Sequence, residues 1–247
     1  MPAMNKLLRA TSRMHPAWVA LLAALAVLLA AIAPALWRTF FVPAATPQAV
    51  TEKGVPWAIE ARAGGGTRVF GLRLPGSTLA DAQALWGAEL QLALMASRDQ
   101  PAALEAYVER PGSGPISGRL VLSAEAAPEA LARWRARATK ETPVSADTRR
   151  IGLRADDLAE ALRAPVVGIG FIPAAQLDAA TLRQRFGEPA QRVVAAGEGA
   201  AVEHWLYPDR GLAIVLDAKG RELLQYVAPA EFDRRLKAPL AAATPAR

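Results

Sequence analysis

The chain has 247 residues, a hydrophobic fraction of 52% of which little is aromatic (6%), and a formal net charge of +6. Heavy alanine use means that much of the apolar fraction is small side chains, so a modest core is expected within the roughly 200 residues left once an anchor and a linker are set aside. The absence of cysteine excludes disulfides, thiolate metal sites, a cysteine nucleophile and a lipidated N-terminal cysteine, and 24 Arg against 5 Lys with no long basic run interleaved with aromatics gives no nucleic-acid footprint.

Residues 1–16 are a short tail carrying Lys6, Arg9 and Arg13. Residues 17–37 follow as 21 residues without a charge, AWVALLAALAVLLAAIAPALW. At about 1.5 Å per residue in a helix, this matches a hydrocarbon core of roughly 30 Å. Trp18 and Trp37 fall near the two ends, where amphipathic rings prefer the interface. Three cations precede the stretch, and Arg38 is the one charge in the dozen residues after it. That asymmetry predicts a cytoplasmic N-terminus in a bacterial inner membrane and a periplasmic remainder. The competing reading is a cleaved signal peptide, with Ala31-Ile32-Ala33 and Ala33-Pro34-Ala35 as small-x-small sequences. Pro34 directly after Ala33 blocks the first, and the stretch exceeds a signal peptide's apolar region, so a retained anchor is expected.

Residues 38–67 hold Pro43, Pro47, Pro56 and Gly64-Gly65-Gly66 without lasting periodicity, and read as a tether. A first α+β module is expected over 68–140. Val69, Leu72 and Leu74 form a short strand ended by Pro75-Gly76. Thr78 caps a helix with Asp81 at its third position and Gly87 after it. Leu90, Leu92 and Leu94 alternate on one face of the next strand. Residues 106–108 and 119–122 supply further strands, and an alanine-rich helix spans 129–138.

A second module is expected over 150–236, with a frayed tail over 237–247. The run 166–172 is a strand ended by Pro173. Asp178 caps a helix containing Leu182 and Phe186, and Gly187-Glu188-Pro189 breaks it. Residues 191–194, 204–207 and 212–216 read as strands, and Asp217-Ala218-Lys219-Gly220 as a hairpin turn into 223–227. Trp86-Gly87 parallels Phe186-Gly187, residues 105–108 parallel 203–207, and 118–124 parallel 211–218, each about one hundred residues apart. Duplication of a small α+β domain and a chance match of common element order are both compatible with this spacing. Either way the fold class is α+β, with antiparallel sheet and packed helices.

Residues 182–189, LRQRFGEP, followed by 205–220, WLYPDRGLAIVLDAKG, resemble the SmpA/OmlA lipoprotein domain. In that family a helix ending in φ-G-x-P precedes a W-x-Y-P and G-x-x-I hairpin. The resemblance covers about 50 residues, although the chain lacks the family's lipidated cysteine. It implies a non-enzymatic envelope domain that works through protein contacts in outer-membrane protein assembly.

Catalytic signals are few. His15 lies in the tail. His204 has Glu203 beside it, but strand neighbours point to opposite faces. Gly168-Ile169-Gly170 lacks the third glycine of a dinucleotide fingerprint and reads as strand packing or a bulge. Asp156-Asp157 reads as a helix first turn. No cofactor or metal site is expected, and no catalytic residue is nominated. Two binding sites are: Trp205, Tyr207 and Tyr226 as partner anchors, and Arg133, Arg135 and Arg137 around Trp134 as a lipid-headgroup contact. The expected function is a membrane-anchored envelope binding or scaffolding protein. The alternative is an envelope enzyme or ligand sensor whose site is assembled from distant residues.

Overall fold

The structure, a computed structural model, describes residues 54–97, 101–111, 117–138, 140–196, 201–217 and 222–243. The chain divides into two units, 1–51 and 52–247, and the described residues all belong to the second. The expected tail 1–16, anchor 17–37 and first part of the tether therefore lie outside the described residues. Among the described residues no helix is long and apolar enough to cross a membrane.

A three-stranded sheet comes first, formed by β1 (Glu60–Arg62), β2 (Gly66–Val69) and β3 (Leu72–Leu74). This corrects the expected tether at its C-terminal end. Gly64 and Gly65, both at positive φ, turn β1 into β2, and Val55 is 3% exposed, so folded structure begins well before residue 68. The single strand expected over Val69 to Leu74 is likewise two, because Phe70 and Gly71 adopt positive φ and reverse the chain. Phe70 then packs 5.2 Å from the Phe171 ring, which gives that strained turn its return.

Helix α1 (Leu79–Trp86) begins with the expected reciprocal cap. The Thr78 hydroxyl accepts from the Asp81 amide, and the Asp81 carboxylate accepts from the Thr78 amide at 2.8 Å. These bonds hold the Asp81 pKa below its usual value. Strands β4 (Leu90–Ser97), β5 (Ala103–Val108) and β6 (Gly118–Ala124) meander from there into α2 (Pro128–Arg137). One hundred residues on, Asp178 caps α4 (Ala179–Phe186) by accepting from the Thr181 amide at 2.6 Å, and Gly187 ends it at positive φ as Gly87 ends α1. Strands β10 (Gln191–Ala196), β11 (Ala201–Tyr207), β12 (Leu212–Asp217) and β13 (Glu222–Tyr226) form the second meander.

The residues between the two stretches are structured as well. Strands β7 (Glu141–Pro143) and β8 (Thr148–Gly152) form a hairpin that extends the sheet beyond β4, and α3 (Ala155–Ala161) follows. Strand β9 (Val166–Pro173) lies between the two meanders, pairing with β6 on one side and β13 on the other. The result is one antiparallel sheet of ten strands in the order β10-β11-β12-β13-β9-β6-β5-β4-β8-β7, and the architecture is α+β.

Strand alternation and register divide this sheet into two faces. Leu94, Leu104, Leu120, Phe171, Leu224, Ile214 and Trp205 line one face and are all at most 1% exposed. The helices and the N-terminal sheet pack over this face to make the main core. Gly118 belongs here, since a Cβ would overlap the Phe171 ring.

Candidate functional site

The opposite face is covered at one end only. After β13 the chain makes a short 3-10 turn, then a π-helical segment (Asp233–Lys237) and α5 (Ala238–Ala243). Phe232 in this segment forms a small second core with Leu206, Ala213 and Val227, joined by Val193, Leu236 and Leu240. The segment therefore seals the β10 to β12 end and stops. Over β13, β9, β6 and β5 the face holds Leu223, Gln225, Gly170, Ile172, Val121 and Tyr107, of which the side-chain-bearing members are all partly exposed.

A cavity of about 580 Å3 sits on this open stretch. Gly168 and Gly170 form its floor, and a Cβ at either would meet neighbours only at ordinary contact distance, 3.6 Å or more. The missing side chains thus leave a hollow between Ser123 and Val121 on β6 and Leu223 and Gln225 on β13. Arg234, Arg235, Leu236 and Pro239 of the C-terminal segment form one wall. That wall is pinned by Arg235, which bonds Glu125 at 2.8 Å and Glu231 at 3.1 Å, while Arg234 also pairs with Glu231. Of the two expected causes of the Gly168-Ile169-Gly170 signal, the structure shows the bulge. A bulge displaces the register beside Gly168, and Ile169 between the glycines is buried in the main core.

A polar network continues from the hollow along β5 and β4. The Tyr107 hydroxyl donates to the Glu105 carboxylate. The Arg150 guanidinium lies 4.8 Å from the Tyr107 ring centre and donates to Gln91 at 3.0 Å. Burial, with Glu105 adding to it, raises the Tyr107 pKa well above the usual phenol value, so the ring stays a neutral donor. His204 is on this face of β11, opposite Val193 and Val215. Its pKa is lowered by burial, and Glu203 points away, as the alternation predicts.

The nominated aromatic anchors are corrected. Trp205, Tyr207 and Tyr226 are 1%, 5% and 1% exposed and face the main core, not a partner. Tyr226 donates to the Pro56 carbonyl at 2.8 Å, tying the start of the folded unit to the sheet. Tyr207 donates to the Gly187 carbonyl at 3.0 Å, and its pKa is pushed up to about 12, chiefly by burial. Arg183 and Arg192 lie 5.6 and 4.8 Å from the Trp205 ring centre. Aromatic residues in these strands were always going to be buried if the helices covered their side, and period two alone does not say which side that is.

Two of the three nominated arginines, all on α2, are paired with carboxylates of α3. Arg133 bonds both Glu160 oxygens at 2.6 Å, and Arg137 approaches Asp157 at 3.1 Å and Asp156 at 3.7 Å. The Trp134 indole donates to Glu160 at 3.3 Å beneath them. This is a clamp of α2 onto α3, and Arg135 alone of the three has no carboxylate partner among the described residues. Asp156 and Asp157 do occupy a helix first turn. Among the described residues no group of three or more His, Asp or Glu could hold a metal ion.

The residues that make the open face, Glu105, Tyr107, Gly170 and Leu223, were not nominated from sequence. The available signal was the alternation itself, since Tyr107 between Ala106 and Val108 must face away from them. No family model matches the chain, and no curated protein or solved structure matches it.

Proposed function

We propose that this is a single-pass inner-membrane protein whose folded unit lies in the periplasm and binds another envelope protein across the open face of its ten-stranded sheet. The observation that carries the binding role is the uncovered middle of that face, where partly exposed Val121, Ile172 and Leu223 border a hollow of about 580 Å3 and partly exposed Tyr107 lies beside Val121 on the next strand. Tyrosine and arginine, the residue types that dominate binding hot spots, stand together there as Tyr107 and Arg150. A surface of this kind, apolar at the centre and rimmed by Glu105, Gln91 and Arg150, has the composition of a protein interface. Support for the location comes from the charge-free stretch 17–37 and the three cations before it. The likeness of residues 182–189 and 205–220 to a family that works by protein contacts in envelope assembly supports the binding role.

Site-specific photo-crosslinking tests the reading in intact cells. A crosslinker at Val121 or Leu223 is expected to capture an envelope protein, while one at Val144, exposed on the distant β7–β8 hairpin, is not. Equal capture from all three positions, or none from the first two, sinks it. A reporter active only in the periplasm, fused after Arg247, is expected to be active.

A further inference from the structure

The alternation that builds the covered face places the carboxylate of Glu222, nearly fully buried, among its hydrocarbon. Glu222 opens β13 in phase with Leu224 and Tyr226, opposite Leu216 on β12, and is only 6% exposed. Buried glutamates are almost always paired, because removing a carboxylate from water is costly unless a cation or hydrogen-bond donors replace the water. Asp157, the other buried carboxylate among the described residues, has Arg137. Glu222 has neither hydrogen bond nor ion pair to any described residue. Its oxygens are also not among the polar atoms sealed from solvent without a partner.

They reach a cavity. About 670 Å3 of space lies at the end of the sheet where β6, β9 and β13 finish, with Glu222 on its lining. Pro111, Ile172, Pro173 and Ala174 supply apolar wall. The volume falls within the range of small-molecule sites, which combine mostly apolar walls with a few placed polar groups. Two arginines line the same cavity, Arg110 and Arg119; both are exposed, Arg110 is turned toward Glu89 at 3.4 Å, and neither pairs with Glu222. A buried carboxylate at the side of an apolar cavity lacks a cation with a hydrocarbon body.

We propose that this cavity binds a small organic amine, with its ammonium on the Glu222 carboxylate and its aliphatic part against Ile172 and Pro173. Glu222 is on the covered side, whereas Ile172 borders both this cavity and the open-face hollow. Amine binding is read by calorimetry and partner capture by crosslinking, so the failure of one reading is distinguishable from the failure of the other.

The test is calorimetric titration of the full chain in detergent micelles with leucinamide, which carries one ammonium on an isobutyl body. 4-Methylpentanamide, the same shape without the charge, is the control. Saturable binding of leucinamide, with at least about tenfold weaker binding of the neutral amide, is expected from the loss of a charge-assisted hydrogen bond. Glu222→Gln is expected to lose that discrimination. Ala174→Trp fills the cavity from its exposed wall, leaves the carboxylate intact, and is expected to block both ligands even if Glu222→Gln does not fold. No saturable binding of leucinamide, equal binding of the two amides, or undiminished binding by Ala174→Trp overturns the proposal.

Discussion

Leu223 and Leu224 are neighbours on β13 with the same chemistry, yet one belongs to the open face and the other to the core at 0% exposure. Tyr107 and Tyr226 make the same contrast. Tyr226 is locked between the Phe70 ring and the Pro56 carbonyl. Tyr107 keeps a partly exposed ring under Arg150. The sheet is thus a single layer with one side used for stability and the other left for recognition. What separates the sides is where the covering elements end, since the C-terminal segment closes over β10 to β12 and leaves β13, β9, β6 and β5 free.

Truncating the two leucines should break this symmetry of chemistry most strongly. Leu224→Ala is expected to cost about 2–5 kcal/mol in urea unfolding, for a fully packed side chain that leaves a cavity. Leu223→Ala should cost under about 1 kcal/mol, as substitutions at open positions do, while weakening partner capture at the face. Equal costs would mean that the open face is a second core.

The tyrosine pair sharpens the same point with one atom. Tyr226→Phe removes the bond to Pro56 and strands a buried carbonyl, for an expected loss of about 1 kcal/mol. Tyr107→Phe is expected to leave stability within about 0.5 kcal/mol, because Glu105 can turn to water. Its effect should appear in partner binding.

The smallest effect is in the pH profile. Burial lowers the His204 pKa from its usual value near 6.5, so the unfolded chain binds a proton more readily than the folded one. Stability from this residue is complete above pH 6.5, falls as the pH drops through that value, and stops falling below the lowered folded pKa. Unfolding midpoints between pH 5 and 8 should show a decline on the acid side that His204→Gln reduces. A midpoint that rises toward pH 5 would contradict the burial of this imidazole.

The most readable parts of the fold are those with local causes. Thr78 with Asp81, and Asp178, cap helices because a side-chain oxygen three residues from an unpaired amide will bond it whatever the rest of the chain does. Gly87 and Gly187 end those helices at positive φ for an equally local reason. The hairpin Glu141–Pro143 with Thr148–Gly152 was not readable. It has no alternating apolar pattern, its first strand is fully exposed, and it holds its place by pairing Ile151 and its neighbours with β4. Strands that borrow their stability from an edge leave little trace in composition.

The site was less readable than the fold. Period two showed that Trp205 and Tyr207 share a side and that Leu206 takes the other, and the structure agrees. It did not show that α4 and the N-terminal segment would cover the tryptophan's side while the C-terminal segment covered Leu206 and then stopped short of Leu223. Glu222 carries no signal in one dimension, because its meaning lies in having apolar neighbours brought from β6, β9 and the loop at residues 173–176.

By itself, then, the amino-acid order determined the helix caps, the strand alternation, the α+β class and the charge-free stretch at residues 17–37, since each depends on contacts within a few residues or on hydropathy alone. Only the tertiary structure decided that both meanders join one sheet through β9, which side of it became core, and where a face and a cavity were left unfilled. Those outcomes depend on pairings between residues far apart in the chain, such as Leu120 with Phe171, 51 positions on, and Tyr226 with Pro56, 170 positions back. No local propensity encodes which of two equally apolar surfaces a distant helix will cover.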